Sequence, residues 1–101
     1  MRVVLSARVE ADIARQLQYG IDHYGAAVAE KTFARVDTYL TRFLPTYPFT
    51  GKLVADRDLY ETWIAKTPFV IFYRIDTENA VITVLALFHH AQDRASFDQE
   101  E

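Results

Sequence analysis

Residues 59–66 read LYETWIAK, 67–76 read TPFVIFYRID, 77–79 read TEN, and 80–90 read AVITVLALFHH. Most positions are β-branched, aromatic or aliphatic, the residue types that suit a pleated, half-buried surface. Two short turn signals, Thr67-Pro68 and Thr77-Glu78-Asn79, cut the stretch into three runs. A lone strand leaves backbone donors and acceptors that only a neighbour can satisfy. The stretch therefore predicts a three-stranded antiparallel meander. In its middle strand Phe69, Ile71, Tyr73 and Ile75 share one face, and Val70, Phe72, Arg74 and Asp76 share the other. The third strand is apolar on both faces, as a central strand should be.

Upstream, Arg2-Val3-Val4-Leu5 is a short β-prone run. Ser6 is then placed to cap a helix, because its hydroxyl can accept from a first-turn amide. Val9, Ile13, Leu17, Ile21 and Tyr24 recur at spacings of four and three, which draws one apolar stripe. Gly20 lies inside that stripe, and Gly25 suits the positive-φ position that closes a helix. A second stripe follows at once through Ala29, Phe33, Val36, Leu40 and Phe43, and Pro45 marks its stop. The short link predicts a helical hairpin. Arg8 and Asp12 can attract across one turn while Lys31 and Arg35 repel; a solvated helix surface is the ordinary fate of all four. Residues 45–56 (PTYPFTGKLVAD) read as an irregular loop, apolar enough to pack across the core.

The expected fold is α+β: N-terminal strand, α-helical hairpin, then the three-stranded antiparallel meander. The hairpin is the only element able to cover the sheet. No repeat or low-complexity segment interrupts the chain, so one domain over residues 1–101 is expected. Residues 91–101 form a polar tail, with a frayed helical turn conceivable at Ala95 to Glu100.

Composition narrows the function classes. The chain has 101 residues, half of them hydrophobic and a quarter charged. With no cysteine, disulfides and thiolate metal sites are out of reach. The net charge is −3, but Asp98, Glu100 and Glu101 crowd the tail; without those three of the 14 acids, 11 face 11 bases. A neutral body lacks the basic footprint of a general nucleic-acid binder. No secretory leader is visible and the apolar run Val84 to Phe88 is too short to span a bilayer, so a cytoplasmic protein with no membrane partner is expected.

Few side chains carry chemistry. Adjacent strand residues point to opposite faces, so His89 and His90 are expected to diverge and only one to serve any site. Histidine is a natural general acid or base, although a strand-end histidine is more often bonded to backbone. Arg74, on an apolar strand, needs a carboxylate such as Glu61 or Asp93, a carbonyl or a phosphate. Trp63 and Tyr60 flank Glu61 and are binding anchors if exposed, core if buried. His23, Tyr19 and Tyr39 have no evident company. Glycine-rich phosphate loops, nucleophile elbows and metal motifs are missing, so neither cofactor nor metal is expected.

The segments Leu59-Tyr60-Glu61, residues 67–76, and Val84 to His90 with Ala91-Gln92-Asp93 together resemble the RelE/ParE superfamily of bacterial type II toxin–antitoxin toxins, and the upstream layout matches as well. FYRID and the histidine that closes the last strand are the most recognisable parts. The resemblance implies two activities. RelE-like members are metal-free, ribosome-dependent mRNA endonucleases; ParE-like members, known also as plasmid stabilisation proteins, poison DNA gyrase. RelE-like toxins usually carry an arginine early in the FYRID strand, where this chain has Val70, whereas Arg74 matches the ParE-like arginine. Gln92 departs from the arginine that ParE-like chains place near the strand-ending histidine, and Arg94 follows two positions later. The resemblance therefore implies a ParE-like gyrase inhibitor without chemistry of its own. Its target-binding candidates are Arg74, His89, Asp93 and Arg94, and a cognate antitoxin silences it by laying a helix or extended segment across hairpin and sheet. The oligomer is a homodimer or a toxin–antitoxin hetero-oligomer. The alternative is the mRNA endonuclease, with His89 as acid or base, Glu61 as second base, and Arg74 or Arg94 holding phosphate. A degenerate toxin with neither activity completes the set.

Overall fold

The computed structural model describes residues 1–54 and 56–91. Strand β1 (Arg2–Leu5) leads into α1 (Ala7–Tyr24) and α2 (Ala26–Thr38). The second helix continues through a π-helical turn, Tyr39–Phe43, into a last α-turn, α3 (Leu44–Thr46). Strands β2 (Lys52–Val54), β3 (Leu59–Trp63), β4 (Phe69–Asp76) and β5 (Val81–His89) follow. They form one sheet in the order β1-β5-β4-β3-β2, antiparallel except where β1 lies parallel to β5.

The expected strand, hairpin and meander are all present, and β2 extends the meander by one strand. Its three residues lie in the segment expected to be irregular; of the apolar residues expected to pack across the core, Val54 packs against a buried cluster, but the others do not. Tyr47, Phe49 and Leu53 are more than half exposed. The buried Tyr73 phenol holds the loop instead, accepting from Gly51 N at 3.1 Å and donating to the Pro48 carbonyl at 2.9 Å. Gly51 is needed there, because a Cβ would collide with that phenol and sit 3.1 Å from the Glu61 carbonyl.

Both helix ends follow from local chemistry. The Ser6 hydroxyl accepts from Val9 N at 3.1 Å. Gly25, at φ 91° and ψ 157°, turns the chain in a region that is essentially glycine-only. Its N–H donates to the Ile21 carbonyl and its own carbonyl accepts from Ala29 N, so a single residue closes α1 and opens α2. The second helix outlasts Pro45 by one residue. Pro45 has no N–H and its ring excludes the carbonyl four residues back. The turn before it widens, and Leu44 N reaches the Tyr39 carbonyl. Thr41 and Thr46 return their hydroxyls to the Asp37 and Arg42 carbonyls, a bond that bends helices.

The main core lies between hairpin and sheet and includes Val9, Val36, Leu40, Leu44, Phe69, Ile71 and Tyr73. Leu59, Phe72, Ala86 and Phe88 form a second buried cluster on the opposite face. A bulge lets β5 serve both. Phe72 pairs with Ala86 but Tyr73 with Val84, which leaves Leu85 as the extra residue. Before it Ile82 and Val84 face the helices; beyond it the phase reverses and Leu87 does.

Candidate functional site

The two polar residues singled out on the sheet lie at opposite ends of it. Arg74 is exposed near the β4–β5 turn, opposite Thr83. With Asp58, Asp76, Glu78 and Leu85 it lines an open depression of about 560 Å³. The turn is fixed by Asp76, whose carboxylate accepts from the Asn79 side-chain amide at 2.8 Å and from Asn79 N at 3.2 Å. Those bonds hold its pKa below the usual carboxylate value. Glu61 pairs across the strands with Phe72, on the face that Arg74 shares. Asp93 and Arg94 lie outside the described residues.

His89 ends β5 opposite Phe69, whose ring it meets edge-on at 5.9 Å. At this strand end the expected divergence of His89 and His90 gives way to stacking. The two rings lie 4.7 Å apart and 27° from parallel. His90 N donates to the Pro68 carbonyl at 2.8 Å, and its ring stands 5.9 Å from that of the exposed Trp63. Ala91 N donates to His89 Nδ1 at 3.2 Å, so a neutral ring carries its proton on Nε2. Desolvation first, and the neighbouring His90 second, lower the His89 pKa. Its ring joins Arg15, Gln16, Tyr19 and Tyr24 around a depression of about 460 Å³ beside α1. Tyr19 has company after all: it stacks on His23 at 3.9 Å. Tyr39 is core, with its hydroxyl 3.3 Å from Thr62 Oγ1.

From Phe69, the partner of His89, to Arg74 is five residues along β4, roughly 17 Å at a strand's rise. The side chains also leave opposite faces: Arg74 on the side of Phe72, His89 on the helix side. Glu61 is with Arg74, not with His89. A base and a phosphate-holding cation must touch one phosphodiester within hydrogen-bond reach, and this arrangement does not bring His89, Glu61 and Arg74 to a common point.

One buried charge went unread in the sequence. Asp12, expected on a solvated surface, is only 4% exposed. Where β1 leaves β5, α1 continues the edge with side chains. Ser6 N donates to the Val84 carbonyl, Ser6 Oγ donates to the Leu85 carbonyl at 3.1 Å, and Asp12 Oδ2 accepts from Leu87 N at 3.1 Å. Arg15 clasps the other carboxylate oxygen at 2.6 Å, and Arg8 Nε stands 3.8 Å away with its guanidinium over the Phe88 ring. An acid with arginines four residues before and three after it was the available signal.

On the hairpin side, Val3, Leu5, Ile13, Leu17 and Phe33 line an apolar groove of about 650 Å³ against β1, one of the two edge strands. Among the described residues no helix is long and apolar enough to cross a membrane.

A family model for the ParE toxin of the type II toxin–antitoxin system parDE matches residues 3–94. No curated protein sequence matches. Among solved structures, the chain is similar to the chromosomal ParDE system of Pseudomonas aeruginosa, with a TM-score of 0.68, 14% identity, and coverage of 88% of this chain and 95% of that one. The RelBE2 toxin–antitoxin complex of Mycobacterium tuberculosis gives 0.65, 16%, 87% and 95% in the same order. The Escherichia coli RelBE complex gives 0.57, 15%, 91% and 98%. At such identities the likeness is one of fold, and it extends to both ParE and RelE toxins.

Proposed function

Because this chain belongs to the ParE toxin family of type II toxin–antitoxin systems, we propose that it arrests growth by binding DNA gyrase, performs no chemistry itself, and is silenced by a cognate antitoxin. The observation that carries this reading is the separation of His89 from Arg74 and Glu61 on opposite faces of the sheet. A binding toxin needs no convergence, since each end of the sheet can meet its target independently. Arg74, exposed at one end of the sheet, and His89 at the other are target contacts; Asp93 and Arg94, outside the described residues, are assigned to the same role from the sequence alone. The antitoxin lies along the apolar groove beside β1, whose outer edge offers a strand for pairing. ParDE and RelBE relatives are solved with antitoxin systems, which supports a partner of that kind here.

The test is purified chain added to gyrase in supercoiling and DNA-cleavage assays, with cleavage of ribosome-bound message measured in parallel. Accumulated cleaved DNA with intact message is expected. Cut message with unaffected gyrase refutes the reading.

A further inference from the structure

A second groove, on the opposite flank of α2 from the apolar one, has no role in that reading. Ala34, Tyr39, Phe43 and Ile64 floor it, and its volume is about 520 Å³. Its rim is cationic: Lys31 and Arg35 stand one turn apart on α2, and Lys66 comes from the β3–β4 turn. No acid contributes to the lining, although the chain as a whole carries −3. Among the described residues none of the three cations is paired with a carboxylate. Two like charges one turn apart weaken a helix, and Lys66 sits at φ 63°, a region that side chains disfavour. Arg35 Nη1 donates to the Lys66 carbonyl at 3.1 Å, which ties the turn to the helix and gathers the third charge.

We infer that this groove receives an acidic, amphipathic segment of the antitoxin, with carboxylates one helical turn apart meeting Lys31 and Arg35 and an apolar side chain over Ile64 and Phe43. Cations around an apolar floor select a segment that carries both chemistries. A nucleic-acid strand fits less well. It would need open aromatic faces for base stacking, but Phe43 is flanked by Tyr39 and Tyr47, each with its ring centroid 5.0 Å away. Ownership of the segment rests on the reading that an antitoxin silences this chain; the chemistry of the groove does not.

The isotope-labelled chain is titrated with a short helical peptide bearing glutamates one turn apart beside leucines, and followed by NMR. Lys31, Arg35, Phe43, Ile64 and Lys66 should shift together. Lys31→Glu with Arg35→Glu should weaken binding at least tenfold, and the milder pair Lys31→Gln with Arg35→Gln should weaken it less, both with an unchanged helical spectrum. Absence of binding, shifts elsewhere, or tighter binding of an oligothymidylate at the same residues overturns the inference. In cells that make the antitoxin, failure to silence the unaltered chain defeats the proposed function and leaves the peptide result standing. Where silencing occurs, the glutamate pair should restore growth arrest. Continued silencing, or loss of toxicity without antitoxin, takes the groove away from the antitoxin.

Discussion

Asp12 on α1 acts as a piece of strand for Leu87 on β5. Its carboxylate takes the backbone N–H that β1 would have taken had the strand continued, at 3.1 Å and in a buried setting. Two arginines hold it in place. Helix and sheet are thereby joined by a charge-assisted bond.

Replacing Asp12 with alanine should therefore cost about 2–3 kcal/mol, because a buried amide loses a charged acceptor. Asp12→Asn keeps an acceptor oxygen and should cost less. Urea denaturation of the two variants measures the order; equal stability of Asp12→Ala and the parent chain would falsify the role assigned to this residue.

Tyr73 predicts an alkaline weakness. Burial pushes its phenol from the ordinary 10.0 up to about 12. A group whose pKa is raised on folding stabilises fully below its unfolded value and ceases to as pH rises through the folded one. Thermal stability should fall between pH 10 and pH 12 on this account. Tyr73→Phe should flatten that fall, while costing about 1–2 kcal/mol at neutral pH through the unpartnered Gly51 N–H and Pro48 carbonyl.

His89 behaves in the opposite sense. Its pKa is lowered from 6.5, so the unfolded chain binds its proton first. Its contribution is complete above pH 6.5 and is lost as the pH falls through the lower, folded value. A stability profile taken from pH 7.5 to pH 5 should decline less steeply in His89→Gln than in the parent chain. His90→Gln removes the secondary cause and should soften the decline only partly.

Toxicity separates binding from catalysis. Loss of a general base costs a nuclease roughly 100- to 10,000-fold. Glu61→Ala and His89→Ala should instead keep gyrase-dependent DNA cleavage within about tenfold, the scale of one lost contact at ~1.4 kcal/mol. Arg74→Glu, which reverses an exposed charge, should reduce it further. Dose–response curves of cleaved DNA rank the three.

The parts of the fold that local chemistry decides were readable. Ser6 and Gly25 bound α1 because a cap and a positive φ are properties of single residues. The middle strand shows its two faces by plain alternation, and the FYRID pattern led to the family. What escaped depended on partners distant in sequence. Lys52–Val54 becomes a strand only because β3 offers an edge; its own side chains are poorly buried. The bulge at Leu85 is invisible in an uninterrupted apolar run. Asp12 resembles any helix-surface acid until Leu87, 75 positions away, is placed beside it. The stacking of His89 on His90 depends on where β5 ends, which the apolar run does not reveal. The frayed turn expected at Ala95 to Glu100 lies outside the described residues.

The parallel pairing of β1 with β5 also sets a clock on synthesis. Ser6 and Leu85, joined by a hydrogen bond, are 79 positions apart. At the usual pace of translation that gap takes on the order of 4–16 s. Throughout that interval β1 has been made but its partner strand has not. The sheet that carries Arg74 and His89 cannot be completed until β5 has left the ribosome. On the proposed function, a chain still being made lacks the finished sheet that target binding needs.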